Sequence, residues 1–267
     1  MNTRILGMQE NKMHLLHGDC LEIMKDIEDQ SINMILCDLP YGTTVRKWDT
    51  IIPFESLWEQ YERIIKNNGA IVLFGTEPFS SKLRCSNLKL YKYDWYWRKT
   101  RPSNFFQSKF APLNNLEIIS VFSFGMANNK SKKPSIAYYP QGTRKIDRLA
   151  KNCNTGGKVQ NNIHTSWDQR NPIYHQTTTG YPKNLLDFPN DRKTSHPTQK
   201  PVALLEYLLK TYTNENEIVL DNCMGSGSTG IACLNLNRQF IGIEKDQTYF
   251  DMAQQRITNH KWQSSLF

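Results

Sequence analysis

Two short apolar runs, residues 32–37 (Ile-Asn-Met-Ile-Leu-Cys) and 218–220 (Ile-Val-Leu), each end on an aspartate that opens a turn. The first is followed by Asp38-Leu39-Pro40-Tyr41. The second is followed by Asp221-Asn222-Cys223-Met224-Gly225-Ser226-Gly227-Ser228-Thr229-Gly230. A near-continuous apolar run of this length suits a strand buried on both faces. Such strands belong to parallel sheets with helices packed on either side.

The remaining pattern agrees. Residues 13–16 read as a strand ending at Gly18-Asp19, and Leu21, Met24 and Ile27 follow at helical spacing. Apolar positions 54, 57, 58, 61, 64 and 65 form a helical stripe, which Asn67-Asn68-Gly69 stops. Residues 70–74, 91–97 and 116–124 read as strands. Val202, Leu204, Leu205, Leu208 and Leu209 mark a helix face, followed by strand 218–221, helix 228–236, strand 240–244 and helix 247–258. Strands alternating with helices predict an α/β fold with a doubly wound, mostly parallel sheet. Residues 126–195 interrupt it. They are rich in Asn, Lys, Thr, Pro and Gly and show no period, which predicts an irregular insertion with a function of its own. The expected division is therefore 13–125, 126–195 and 196–260.

Charge follows the same division. The chain carries a net +8. Residues 126–200 hold 13 Lys/Arg against 4 Asp and no Glu, so the rest of the chain is close to neutral. A localised basic block suits a polyanion, because each neutralised phosphate releases condensed counterions. A solvated Lys-rich loop is the plainer account of the same composition. The six cysteines form no C-x-x-C pair and no metal-ligand spacing, so no metal site and no disulfide framework is expected. Neither a secretory signal nor a membrane-length apolar run is visible, which predicts a cytoplasmic protein without membrane contact.

The glycine-rich turn Gly225-x-Gly227-x-x-Gly230 follows a strand and opens a helix, and Glu244 closes the next strand 19 residues later. Glycines allow close approach of the backbone to a ligand, and a carboxylate so placed can accept two ribose hydroxyls. This fits adenosine-containing cofactors generally, NAD included. A nicotinamide-dependent oxidoreductase would give no role to Asp38–Tyr41. A binding protein with a degenerate cofactor fold is the other alternative.

The two motifs, in this order, resemble the beta group of DNA amino-methyltransferases, in which the catalytic D-P-P-Y element precedes the cofactor turn. His196-Pro197-Thr198-Gln199-Lys200-Pro201 is similar to that family's H-P-T-x-K-P element. Trp97-Arg98-Lys99 with Asn104, and Asn115-x-Glu117, also resemble its intervening segments. The resemblance implies a Rossmann-like methyltransferase domain in which residues 13–125 are catalytic, 126–195 recognise the target and 196–260 bind S-adenosylmethionine. Asp38, Leu39, Pro40 and Tyr41 would be catalytic: a carboxylate and a carbonyl for the two amine hydrogens, a proline fixing that carbonyl, and a stacking ring. Asp19, Cys20, His196, Thr198, Lys200, Asp221, Asn222, Cys223, Gly225, Ser226, Gly227, Ser228, Glu244 and Lys245 would hold the cofactor. Lys130, Lys132, Lys133, Arg144, Lys145 and Arg148 would meet DNA.

Aspartate at the first catalytic position favours N6 of adenine over N4 of cytosine, where serine is commoner. Carbon-5 chemistry lacks its Pro-Cys nucleophile. Leu39 departs from the family proline, and Asn222 and Cys223 depart from Pro and Phe. The implied partners are double-stranded DNA reached by base flipping, with a homodimer and a cognate restriction enzyme also admitted. The implied host is a bacterium or bacteriophage.

Overall fold

A computed structural model describes residues 13–43, 49–128, 134–151, 173–190 and 199–264. The chain divides into two compact units, Met1–Tyr139 with Asn184–Phe267, and Pro140–Lys183.

The larger unit is built on an eight-stranded sheet. Its strands are β1 (Met13–His17), β2 (Ile32–Cys37), β3 (Ile65–Gly75), β4 (Tyr91–Ser103), β5 (Asn114–Phe122), β8 (Leu185–Asp187), β9 (Ile218–Asp221) and β10 (Gln239–Glu244). Their spatial order is β1-β10-β9-β2-β3-β5-β4-β8. The first five run parallel. β5 is antiparallel to β3 and to β4, and β8 runs parallel to β4.

Helices cover both faces, so alternate strand residues enter different cores. Met34, Leu36, Val72 and Phe74 pack with Leu204, Leu205 and Leu208 of α4 (Val202–Tyr212), Ile231 of α5 (Ser228–Asn235) and Ile257 of α6 (Gln247–Ser264). Ile35, Cys37, Ile71 and Leu73 pack on the opposite face with Leu57, Tyr61 and Ile64 of α2 (Phe54–Ile64) and Leu83 of α3 (Phe79–Ser86). Leu57, Ile64 and Leu208 are fully buried, each worth roughly 1.5–3 kcal/mol of transfer free energy.

The sheet matches the sequence expectation, with local differences. The helix expected after Gly18 is a short α1 (Cys20–Ile23) and one 3-10 turn, Met24–Asp26. Arg63 supports this short helix: its guanidinium donates to the carbonyls of Met24 and Ile27, both at 2.7 Å. Strand β3 begins at Ile65, directly after α2, without the turn expected at 67–69. Helix α3 was invisible to periodicity because only Phe79 and Leu83 lie on its apolar side.

The segment 126–195 is less irregular than expected. It contains β6 (Arg144–Lys151) and β7 (Ile173–Thr179), paired antiparallel within the smaller unit, and it supplies β8 to the main sheet. Neither pattern was readable. The ribbon leaves Leu149 74% exposed and so needs no apolar alternation, and β8 buries Leu186 alone of its three residues. Among the described residues no helix is long and apolar enough to cross a membrane.

Candidate active site

The parallel strands β1, β10, β9 and β2 end at one edge of the sheet. From β9 the chain proceeds through α5 to β10 on one side, while β2 leads to β3 on the other. The crevice outside β9 and β2 is therefore a topological switch point, where open α/β sheets bind ligands. A cavity of about 580 Å³ occupies it. Its wall includes Asp19, Cys20, Asp38, Leu39, Pro40, Tyr41, Lys200, Asp221, Asn222, Cys223, Gly225, Ser226, Ser228, Glu244 and Lys245. Sequence reasoning had assigned all of these to catalysis or to the cofactor. Gly227 is set back from the cavity and faces α6. His196 and Thr198 lie outside the described residues.

The glycine turn is held from several sides. Gly227, at φ +76°, precedes α5, and its missing Cβ leaves room for Ala253 and Ile257 of α6 at 3.1 Å. Arg256 of α6 donates to the Ser226 carbonyl and to the Ser228 hydroxyl, both at 3.0 Å. Gly225 has φ +50°, lines the cavity, and a Cβ built there would meet nothing within 4 Å. Glu244 at the end of β10 accepts the Gly225 amide at 2.9 Å and the Asp246 amide at 2.8 Å, one on each oxygen. Burial raises its pKa against those amides. Each oxygen keeps a second lone pair, enough for two hydroxyls. Asp19 caps α1 through the Leu21 amide and pairs with Lys245 at 3.0 Å.

Asp221 accepts the Thr229 hydroxyl at 2.6 Å and the Cys223 amide at 3.2 Å. Burial pushes its pKa up to about 7. The departures from the family pattern have local reasons. Asn222, where proline is common, accepts the buried Tyr61 hydroxyl at 2.5 Å. Leu39 buries its side chain in the core beneath α2, to 4% exposure.

The tetrapeptide Asp38–Tyr41 sits in a charged cluster. Lys200 Nζ bridges Asp38 Oδ2 at 2.6 Å and Glu117 Oε1 at 2.8 Å. Lys99 reaches the other Glu117 oxygen at 3.2 Å. The Tyr41 hydroxyl donates to Asp38 Oδ1, and its ring packs on Phe79 at 4.9 Å between centroids. Burial raises the Asp38 pKa; Lys200 opposes that shift and Glu117 adds to it. Glu117 is held below the usual range because Lys200 and Lys99 together outweigh its burial. The Lys200 pKa is raised because its two carboxylates outweigh burial. Two carboxylates and two ammonium groups leave the cluster neutral, as burial demands.

Lys200 had been expected to face the cofactor. It lines the cavity, but its charge is committed to Asp38 and Glu117. Two neighbouring buried carboxylates need a cation between them, and Lys200 supplies it while lining the cavity. Glu117 and Lys99 were noted in the sequence without a role. Arg256, Tyr61 and Asp49 were missed. Asp49 accepts the amides of Gly42 and Thr43 at 2.9 Å and so fixes the chain leaving Tyr41. Nothing in the spacing of these three marks them.

Of the residues expected to meet DNA, Arg144, Lys145 and Arg148 lie exposed on β6 in the smaller unit. Lys130, Lys132 and Lys133 lie outside the described residues.

The chain is 27% identical over 278 aligned residues to the type II methyltransferase M2.MboI of Moraxella bovis, covering 92% of this chain and 88% of that protein. It is 27% identical to the type II methyltransferase M.HinfI of Haemophilus influenzae, covering 92% and 68%. Among solved structures, M1.HpyAVI in complex with SAM superposes with a TM-score of 0.57 at 24% identity, over 91% of this chain and 99% of the other. The cytosine-N4-specific PvuII DNA methyltransferase superposes with a TM-score of 0.60 at 14% identity, over 94% and 93%. The family model for N6/N4-type DNA methylases matches residues 32–255. With that match spanning both the Asp38 and the Gly225 motifs, the chain belongs to the N6/N4 family of DNA methylases.

Proposed function

We propose that this DNA methylase transfers the methyl group of S-adenosyl-L-methionine to the N6 amine of an adenine flipped out of duplex DNA at a specific site. One observation carries the reading. Asp38, at the end of β2, shares a cavity with the glycine turn and Glu244, so an amine and an adenosine cofactor can meet there. The open space at Gly225, the spare lone pairs of Glu244 and the cavity volume all suit such a cofactor. When bound, it supplies the electrophilic methyl group.

The chain supplies orientation. The N6 lone pair is delocalised into the purine ring. Asp38 accepts one N–H and the Leu39 carbonyl the other, which draws the nitrogen towards tetrahedral geometry and frees its lone pair. Pro40 fixes the direction of that carbonyl. Tyr41 offers a ring face to the base, and flipping brings the base within reach. Lys200 and Tyr41 hold Asp38 in place from its two oxygens, each of which keeps a lone pair for the amine.

The relatives are type II methyltransferases, which supports a role as the modification partner of a restriction enzyme in the bacterial cytoplasm. The deciding experiment incubates the purified protein with duplex DNA and labelled S-adenosylmethionine, then separates the nucleosides. The expected product is N6-methyladenine. N4-methylcytosine would overturn the choice of base, and no labelled nucleoside would overturn the transfer itself. Sequencing plasmid DNA from an expressing host gives the recognition site.

A further inference from the structure

The hairpin joining β4 to β5 ends in a projection that the chemistry above does not use. Every residue from 101 to 113 is exposed. Three of them are phenylalanines within six positions: Phe105, Phe106 and Phe110 are 74%, 100% and 91% exposed. Exposure of this degree in a run of large apolar side chains marks an interaction site.

The tip has a defined shape. Asn104 adopts a left-handed conformation at φ +67°, Phe105–Gln107 forms a 3-10 turn, and the amides of Phe110 and Ala111 return to the Gln107 carbonyl at 2.8 and 2.9 Å. Residues 98–116 contain four cations and no acidic group. Arg98 pairs with Asp187 and Lys99 with Glu117. The Arg101 and Lys109 side chains remain, exposed and without a partner among the described residues.

Position completes the case. Trp97 pairs with Glu117 and Ser103 with Asn114 across the hairpin. Glu117 and Lys99 at its base belong to the Asp38 cluster. Asn114, where the tip begins, is three residues beyond Glu117, about 10 Å at the rise of a strand. The phenylalanines are thus carried on the two strands whose Lys99 and Glu117 support Lys200, the ammonium paired with Asp38.

We propose that this tip is a DNA wedge: Phe106, flanked by Phe105 and Phe110, enters the base stack of duplex DNA beside the flipped nucleotide, while Arg101 and Lys109 meet the adjoining phosphates. The inference rests on the reading of a flipped base in duplex DNA. Apolar wedges offset the unstacking that extrusion of a base requires, and aromatic faces stack on any base. The charge favours a polyanion over a second copy of this chain, which would bring +8 against +8 with two free cations at the contact.

The test uses the full chain and two duplexes containing its own methylation site, one fully paired and one with the target base mispaired. Phe106→Ala should retain wild-type affinity for S-adenosylmethionine alone and wild-type thermal stability. On the paired duplex, kcat/KM should fall about tenfold, the order of one lost stacking partner. On the mispaired duplex, where extrusion costs least, the deficit should shrink to under about threefold. Phe106→Leu, which restores apolar bulk, should recover most of the loss.

A triple variant, F105A/F106A/F110A, covers the case in which a neighbouring ring substitutes for Phe106. Wild-type rates in the triple variant, or equal deficits on both duplexes, would overturn the wedge while leaving the methyltransferase reading intact. A fall in sedimentation mass with unchanged duplex kinetics would overturn it in favour of contact between copies. A wild-type protein that methylates no DNA would remove both readings together.

Discussion

At the scale of single residues, the site is a problem in placing charge. Asp38 accepts an amine hydrogen best as a carboxylate, yet burial raises its pKa and Glu117 adds to the shift, and Lys200 is the main group that opposes them. Asp38→Ala should abolish transfer and leave cofactor affinity nearly unchanged, measured by turnover on DNA beside calorimetry with S-adenosylmethionine; near-normal turnover would end the assignment. Lys200→Met removes the opposing cation, so the Asp38 pKa climbs further and a larger share is protonated at any given pH. The acid limb of the kcat/KM profile should move to higher pH, with Lys200→Arg closer to wild type; an unmoved limb in the Met variant would show that Lys200 does not govern Asp38. Asp221 gives a second pH signature. Its pKa near 7 lies above the ordinary carboxylate value, so below that pH it carries a proton that a bound cation would expel. If the cofactor ammonium is that cation, affinity should rise with pH up to about 7 and level off above it, and Asp221→Asn should flatten the rise. The sequence exposed Asp38 and Asp221 because each follows an apolar strand. It did not expose the Lys200–Glu117–Lys99 connection, because that contact joins a segment entering α4 to the β4–β5 hairpin, and no local spacing encodes it.

At the scale of elements, the glycine turn shows how one motif divides its work. Gly225 and Gly227 both have positive φ, so an alanine at either costs about 1–2 kcal/mol of backbone strain. They differ in what a new Cβ meets. At Gly227 it strikes the Ala253 Cβ and Ile257 Cδ1 at 3.1 Å, pressing α6 away from α5. At Gly225 it enters the cavity. Gly227→Ala should therefore lose more stability in urea unfolding, and Gly225→Ala should lose more cofactor affinity. The same order of loss in both measurements would mean that the turn has no ligand side. The parallel strands were legible as continuous apolar runs, α2 and α4 by their periodic apolar faces, and α5 by the glycine turn that opens it. Helix α3 was not, since two apolar residues one turn apart are too few to establish a period. The extension of β3 back to Ile65 was not, because polar Lys66, Asn67 and Asn68 read as a turn when nothing local reveals that a strand continues through them.

At the scale of the whole molecule, the positive charge is concentrated where the fold is least regular. The smaller unit, Pro140–Lys183, carries seven Lys/Arg against two Asp by sequence. A two-stranded ribbon alone is marginally stable in water. Here β6 and β7 expose Leu149 and Tyr174 along with Arg144, Lys145 and Arg148. This is why the segment resisted reading: a ribbon with exposed side chains carries no internal apolar period, and charge is the signal left in its sequence. Charge also makes the strongest test, because binding through phosphates depends on salt in a way that packing does not. Neutralising Arg144, Lys145 and Arg148, with Lys130, Lys132 and Lys133 as a second set, should weaken DNA binding. It should also flatten the plot of log affinity against log salt by about 0.9 units for each phosphate contact removed. Because the wild-type slope is the steeper, the affinity deficit of each variant should be largest at low salt and narrow as salt rises. A solvated loop would give the wild-type slope in both variants. That result would place the DNA contacts on the larger unit, whose free cations at Arg101 and Lys109 would then carry the phosphate binding.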